Sequence, residues 1–78
     1  MNMRNIYLLK DLAKRSGYTT HTLKFYLNLG LIEEIGRSPE TNFRYFDDST
    51  LARLKRIRKL SQESVPLKAM KRRLEGRK

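Results

Sequence analysis

The stretch Thr-Thr-His-Thr-Leu-Lys-Phe-Tyr-Leu-Asn-Leu-Gly-Leu, from Thr19 to Leu31, restricts the fold more than any other part of the chain. The Thr19 hydroxyl suits an N-cap, where it accepts from a backbone N–H left unpaired at a helix start, and Gly30 suits the left-handed residue that ends a helix. Leu23 and Leu27 lie one turn apart on the inner face of the expected helix. Thr20, His21, Lys24 and Asn28 lie on or near the other face and gather donors, acceptors and one positive charge there. Upstream, Leu9, Leu12 and Ala13 form the i, i+3, i+4 stripe of a first helix that Gly17 stops. Helix, glycine-containing turn, helix is the helix-turn-helix plan, in which the outer face of the second helix is free to read a surface.

Charge names the class of that surface. Eighteen Lys and Arg against eight Asp and Glu give a formal net charge of +10, with an isoelectric point near 10.4. Such a chain attracts polyanions and binds nucleic acid by counterion release even without sequence preference. Its 78 residues are expected to form one domain spanning 1–78, too small to bury a catalytic cleft. Cysteine is absent, and His21 is the only histidine, so neither a thiolate nor a multi-histidine metal site is expected. No phosphate loop is present, and the carboxylates sit at helix starts or beside basic residues; the chain reads as no enzyme, with no cofactor. The N-terminus has no long apolar run, so no membrane association and a cytoplasmic location are expected.

Taken in order, Met1 to Asn5 is expected to be a loose start, with Ile6 able to pack on the core. Tyr7 to Ser16 is the first helix region, poorly capped by Leu8, and its Lys14 or Arg15 could reach a phosphate. Past Gly30, Leu31, Ile32 and Ile35 suggest a short strand. Turn formers then fill Gly36 to Asn42, and Phe43-Arg-Tyr-Phe46 has the aromatic bias of a second strand. This two-stranded wing must pack on the helices to be stable, and it carries Arg37 near its tip and Arg44 on its return strand. Asp47 is the expected N-cap of a third helix with a ridge of Leu51, Leu54, Ile57 and Leu60. Arg53, Lys55, Arg56, Arg58 and Lys59 stand between, about half of them solvated by helical geometry and the rest available for phosphate. Ser61 to Val65 breaks that helix, and Pro66 opens a fourth with Leu67, Met70 and Leu74 inward, ending at Gly76. Its Lys68, Lys71, Arg72 and Arg73 are expected to be solvated. The fold class is therefore mainly α with a small two-stranded β wing, a winged helix-turn-helix of about four helices.

Several segments carry a resemblance in a fixed order: Leu12-Ala13-Lys14-Arg15-Ser16-Gly17, Thr22-Leu23-Lys24-Phe25-Tyr26, Gly30-Leu31-Ile32, Asn42-Phe43-Arg44-Tyr45-Phe46, and then Leu54, Ile57 and Leu60. In this arrangement the chain resembles the DNA-binding domain of the MerR family of transcriptional regulators, from about Tyr7 to Leu74. The resemblance implies that the second helix enters the major groove of double-stranded DNA and that the wing grips the flanking backbone. Carried over by position, it implies Thr20 and His21 near base edges and Lys24, Tyr26, Arg44 and Tyr45 near the backbone. Thr19 and Arg37 complete the expected contact surface. Tyr26 and Phe43 are also read as packing aromatics, whereas Phe25, offset from the Leu23 and Leu27 stripe, is a partly exposed candidate for backbone or thymine-methyl contact.

The sequence departs from the family pattern at Lys24 in place of arginine, at Leu27 in place of an acid, and in a wing motif short of two hydroxyls. Glu33 and Glu34 add negative charge at the base of the wing. A homodimer on DNA and, for a full regulator, RNA polymerase are the further partners implied. The chain stops at Lys78 without the dimerising helix and effector segment typical of the family, which fits an excised domain or a small stand-alone binder. Two other readings share the basic surface: an excisionase-like architectural protein that bends DNA, and an adaptor whose basic face meets an acidic protein.

Overall fold

The computed structural model describes residues 5–75. Of the loose start expected at Met1 to Asn5, residues 1–4 lie outside the described residues, as does the glycine stop at Gly76, while Asn5 is hydrogen-bonded to Asp48. The chain runs β1 (Tyr7–Leu8), α1 (Leu9–Ser16), α2 (Thr20–Leu29), β2 (Gly36–Arg37), β3 (Arg44–Phe46), α3 (Asp48–Gln62) and α4 (Leu67–Leu74). The four helices are as expected. The wing is larger than expected, because Tyr7 and Leu8 begin as a strand before the helix starts, and the antiparallel sheet has three strands in the order β1-β3-β2. Tyr7 pairs with Phe46 and Leu8 with Tyr45, while Gly36 pairs with Tyr45 and Arg37 with Arg44.

Local chemistry sets the helix ends. Leu8 offers α1 no side-chain acceptor, but the Asp11 carboxylate reaches back to accept from the Leu8 N–H at 3.2 Å. Gly17 (φ 82°) ends α1, its N–H bonding the Ala13 carbonyl at 2.9 Å. The Thr19 hydroxyl accepts from the Thr22 N–H at 3.1 Å and caps α2. At the other end of α2 Gly30 takes φ 78°, and bonds from Gly30 N to Leu27 O and from Leu31 N to Tyr26 O form a Schellman close. That close is why Leu31 and Ile32 are not the strand expected of them: the chain is still turning there, and both side chains drop into the core, each 1% exposed. Asp47 caps α3 by accepting from the Ser49 N–H at 3.0 Å. Ser64, at φ 66°, lets the chain leave α3 for Pro66 and α4.

The core lies where α1, α2, α3 and the inner face of the sheet meet. Leu12, Leu23, Phe46 and Ile57 are wholly buried there, with Met70 and Leu74 of α4 closing one side. Two expected inward residues are not buried: Ile6 is 53% exposed, and Leu67, in the first turn of α4, is 39% exposed. The start of the described chain is tied to α3 instead by polar bonds to Asp48, from Tyr7 Oη at 2.6 Å and Asn5 Nδ2 at 3.0 Å.

Candidate nucleic-acid interface

Because α2 turns about 100° per residue, burying Leu23 leaves Thr20, His21, Lys24, Phe25 and Asn28 on its free side, and all five are exposed. Thr20 and Lys24 form the edge nearer the wing. They border an open cleft of about 540 Å³ with Leu8, Leu9 and Lys10 at the start of α1 and Asn42, Phe43 and Arg44 of the wing. Lys10, Lys24 and Arg44 thus arrive from three elements, and no carboxylate lines the cleft. The wall contributes only cations to the local field, with Arg44 also meeting the Glu34 carboxylate outside the cleft.

Thr19 stands at the start of this surface, but its hydroxyl is committed to the helix: besides capping Thr22 N it donates to Thr22 Oγ1 at 3.0 Å. Phe25 faces away from the cleft. It borders an apolar trough with Leu29, Leu31, Pro66 and Leu67, flanked by Lys68 and Lys71. Tyr26 is half-buried, its ring 5.5 Å from that of Tyr18 in an edge-to-face contact, and burial pushes its hydroxyl pKa up. It supports the helix from behind.

The wing is held by bonds across its loop, from Ser38 N to Phe43 O at 2.9 Å and from Asn42 N to Ser38 O at 2.8 Å. Asn42 takes φ 62°, a conformation that Asn tolerates better than most residues, and it turns Phe43 outward. The packing role expected of Phe43 is therefore corrected: it is 58% exposed and borders the cleft. Tyr45 is half-buried against Gly36, where a Cβ would lie 2.5 Å from the tyrosine oxygen, so its ring covers the glycine and stiffens the wing. Arg37 and Arg44 flank Glu34, whose Oε2 is 2.6 Å from Arg37 Nε and whose Oε1 is 3.0 Å from Arg44 Nε. The Arg37 hydrogen bond holds the Glu34 carboxyl below its ordinary pKa, so it is anionic at neutral pH.

Other cations take partners within the chain. Arg58 donates to the Ser16 carbonyl at 3.0 Å and lies 4.6 Å from the centroid of the Tyr18 ring; Arg53 donates to the Leu31 carbonyl; Arg15 stacks on Tyr7 at 5.3 Å. Lys55, Arg56 and Lys59 remain exposed on α3. Sequence reasoning missed Lys10 at the cleft and Tyr18 in the turn. The first lies on a face that only the sheet brings toward the wing, whereas the second carried a usable signal, an aromatic directly after the turn glycine.

Comparison with known proteins agrees with this geometry. The model of the MerR HTH family of regulatory proteins matches residues 7–77. The HTH-type transcriptional regulator CueR of Bacillus subtilis is 37% identical over 70 residues, covering 90% of this chain and 48% of that protein. The multidrug-efflux transporter 1 regulator of the same organism is 29% identical over 65 residues, or 83% of this chain and 23% of that one. The chain thus spans about half the length of one curated relative and less of the other. Among solved structures, HiNmlR, a MerR family regulator lacking the sensor domain and bound to promoter DNA, superposes with a TM-score of 0.79 at 31% identity, covering 91% of this chain and 53% of that one. A MerR family transcriptional regulator from Bacillus cereus superposes with a TM-score of 0.85 at 16% identity, covering 95% and 55%, which shows the shared fold. From its helix-turn-helix, its wing and the length of the match, this chain belongs to the MerR family of helix-turn-helix regulatory proteins.

Proposed function

We propose that this chain binds double-stranded DNA with sequence preference as the reading domain of a transcription regulator, with α2 in the major groove and the wing along the flanking backbone. The observation that carries the reading is the cleft on whose wall Lys10, Lys24 and Arg44 converge and no carboxylate stands, beside the exposed polar edge of α2. A B-form major groove about 12 Å wide admits a helix, and a phosphate backbone running past that helix meets the cleft next. Lys24 of α2 and Arg37 and Arg44 of the wing serve as phosphate ligands, and Tyr45 lies near the backbone, steadying the wing by covering Gly36. Thr20 and His21 face base edges. Thr19 and Tyr26 hold α2 in position near the backbone, and Phe25 offers an apolar edge to the backbone or to a thymine methyl. HiNmlR, seen on promoter DNA, supports this placement by its likeness.

The proposed mechanism has no chemical step. Basic side chains and the N-terminus of α2 set the register on phosphates, and α2 discriminates sequence. One such helix reads only a few base pairs, so a second copy on a neighbouring half-site belongs to the reading, as does RNA polymerase as partner of a full regulator in the cytoplasm. No helix among the described residues is long and apolar enough to cross a membrane.

Selection of bound duplexes from a random pool at near-physiological salt, followed by sequencing, tests the proposal. An enriched motif, expected as an inverted repeat, supports it. Salt-dependent binding with no enrichment overturns sequence reading in favour of the architectural role, and no preference for duplex over heparin favours the adaptor.

A further inference from the structure

We propose that Glu34 is an internal competitor for the DNA phosphate, an anion built into the wing that occupies Arg37 and Arg44 together and so limits how strongly the wing grips any duplex. The inference rests on the DNA-binding reading above and adds a residue whose charge opposes it.

The register of the sheet poses the problem that Glu34 solves. Arg37 and Arg44 are directly paired across β2 and β3, and like charges in that position repel. Glu34, just ahead of β2, places one carboxylate oxygen on each Nε, at 2.6 and 3.0 Å. The side chains of Arg37, Arg44 and Glu34 are 42%, 37% and 28% exposed, so an outside anion can reach the cluster, at Arg44 by the exposed remainder of its side chain, since its Nε is buried and makes no hydrogen bond. A backbone phosphate offers the same thing Glu34 does, a planar or tetrahedral set of oxygens for two guanidinium groups. The two anions therefore contend for one pair of cations, and with Glu34 ionised this three-residue cluster carries one net positive charge where its two arginines alone would carry two.

Neighbouring Glu33 makes the comparison clean. It is exposed, and no wing arginine is paired with it among the described residues. Glu33→Gln removes the same charge as Glu34→Gln from almost the same place without releasing Arg37 or Arg44.

The test is the salt dependence of binding to random-sequence duplex for the wild type, E34Q, E33Q and E34D. E34Q is expected to bind more tightly and to steepen the slope of log K against log salt by about 0.9, one further phosphate. Between 50 and 200 mM salt that slope is a further loss of about threefold. E33Q is expected to stay near the wild type. E34D keeps the charge but shortens the arm, and is expected to release one arginine and fall between wild type and E34Q, which keeps the test open if E34Q alone loses its wing. Arg37→Ala and Arg44→Ala are expected to cost more in the E34Q background than in the wild type. Weaker binding or an unchanged slope in folded E34Q, an E33Q effect equal to that of E34Q, or E34D binding more weakly than the wild type would overturn the proposal. The same series eluted from heparin separates the two levels: wild type that binds heparin but no duplex sinks the DNA reading, while the shift of E34Q on heparin still decides the role of Glu34.

Discussion

Arg58 separates a scaffold role from a phosphate role, since sequence places it in a basic run and structure pairs it with groups at the end of α1 and in the turn. Arg58→Met removes the guanidinium and keeps an apolar stem. The guanidinium donates to the Ser16 carbonyl at 3.0 Å and lies 4.6 Å from the centroid of the Tyr18 ring. Ser16 ends α1, so its carbonyl is one of those left without an intrahelical partner, and a cation there also meets the negative end of the helix dipole. A hydrogen bond to a charged group contributes about 1.5 kcal/mol at the low end of its range, and an exposed cation–π contact about 0.5 to 1. Arg58 is exposed, so screening takes back part of this, leaving a cost of about 1 to 1.5 kcal/mol. For a chain of 78 residues that lowers Tm by roughly 5 to 10 °C, measured by circular dichroism at fixed salt. Arg58→Lys keeps the charge but loses the planar fork, and is expected to recover less than half of the loss. The salt slope of DNA binding stays unchanged in both variants. A melt within about 2 °C of the wild type, or a slope shallower by one phosphate, would refute the reasoning and return Arg58 to the DNA surface.

Two further predictions concern α2 and its turn. Lys24→Ala is expected to weaken all duplexes alike and to lessen the salt slope by about 0.9, whereas Thr20→Ala and His21→Ala are expected to relax preference at particular base positions, each by about 1 to 3 kcal/mol of discrimination; parallel selections on the three variants distinguish these outcomes. Gly17→Ala is expected to destabilise by about 1 to 2 kcal/mol, because the new Cβ meets only Arg58 Nη2 at an ordinary 3.5 Å and the cost is that of a left-handed φ of 82°. A melt equal to that of the wild type would count against that backbone argument.

What was legible in the sequence was local. Gly17, Thr19, Gly30 and Asp47 each end or start a helix through bonds reaching no more than five residues, and each does so as expected. The exposed face of α2 was legible for a related reason, since one buried leucine and the helical period fix the direction of every neighbour. Distant pairing was not legible. The strand at Tyr7–Leu8 exists because β3 offers an edge nearly forty residues later, and two residues carry no alternation from which to read it. Leu31 and Ile32 have strand composition, yet a Schellman close binds the Leu31 N–H and makes them core. The Glu34 cluster was half legible: its contact with Arg37 is i, i+3, while its contact with Arg44 depends on the hairpin register.

The division of labour between the two basic residue types follows from their chemistry. Arg15, Arg37, Arg44, Arg53 and Arg58 each have a partner within the chain, be it a ring, a carboxylate or a carbonyl. Lys10, Lys14, Lys24, Lys55, Lys59, Lys68 and Lys71 are all exposed. A guanidinium is planar, weakly hydrated and many-donored, so it can stack on tyrosine or join two chain segments while remaining charged; an ammonium on a flexible stem is better left hydrated until a phosphate arrives. In a chain this small, the same cations that draw in a polyanion must also supplement a limited apolar core. Five arginines make the internal links, while the lysines share the open surface with Arg56, Arg72 and Arg73, and this partial division lets both demands be met. It also means that lysine substitutions should register mainly in binding, and substitutions of the internally partnered arginines mainly in stability, with Arg37 and Arg44 the exceptions because their internal partner is itself an anion that a phosphate can replace.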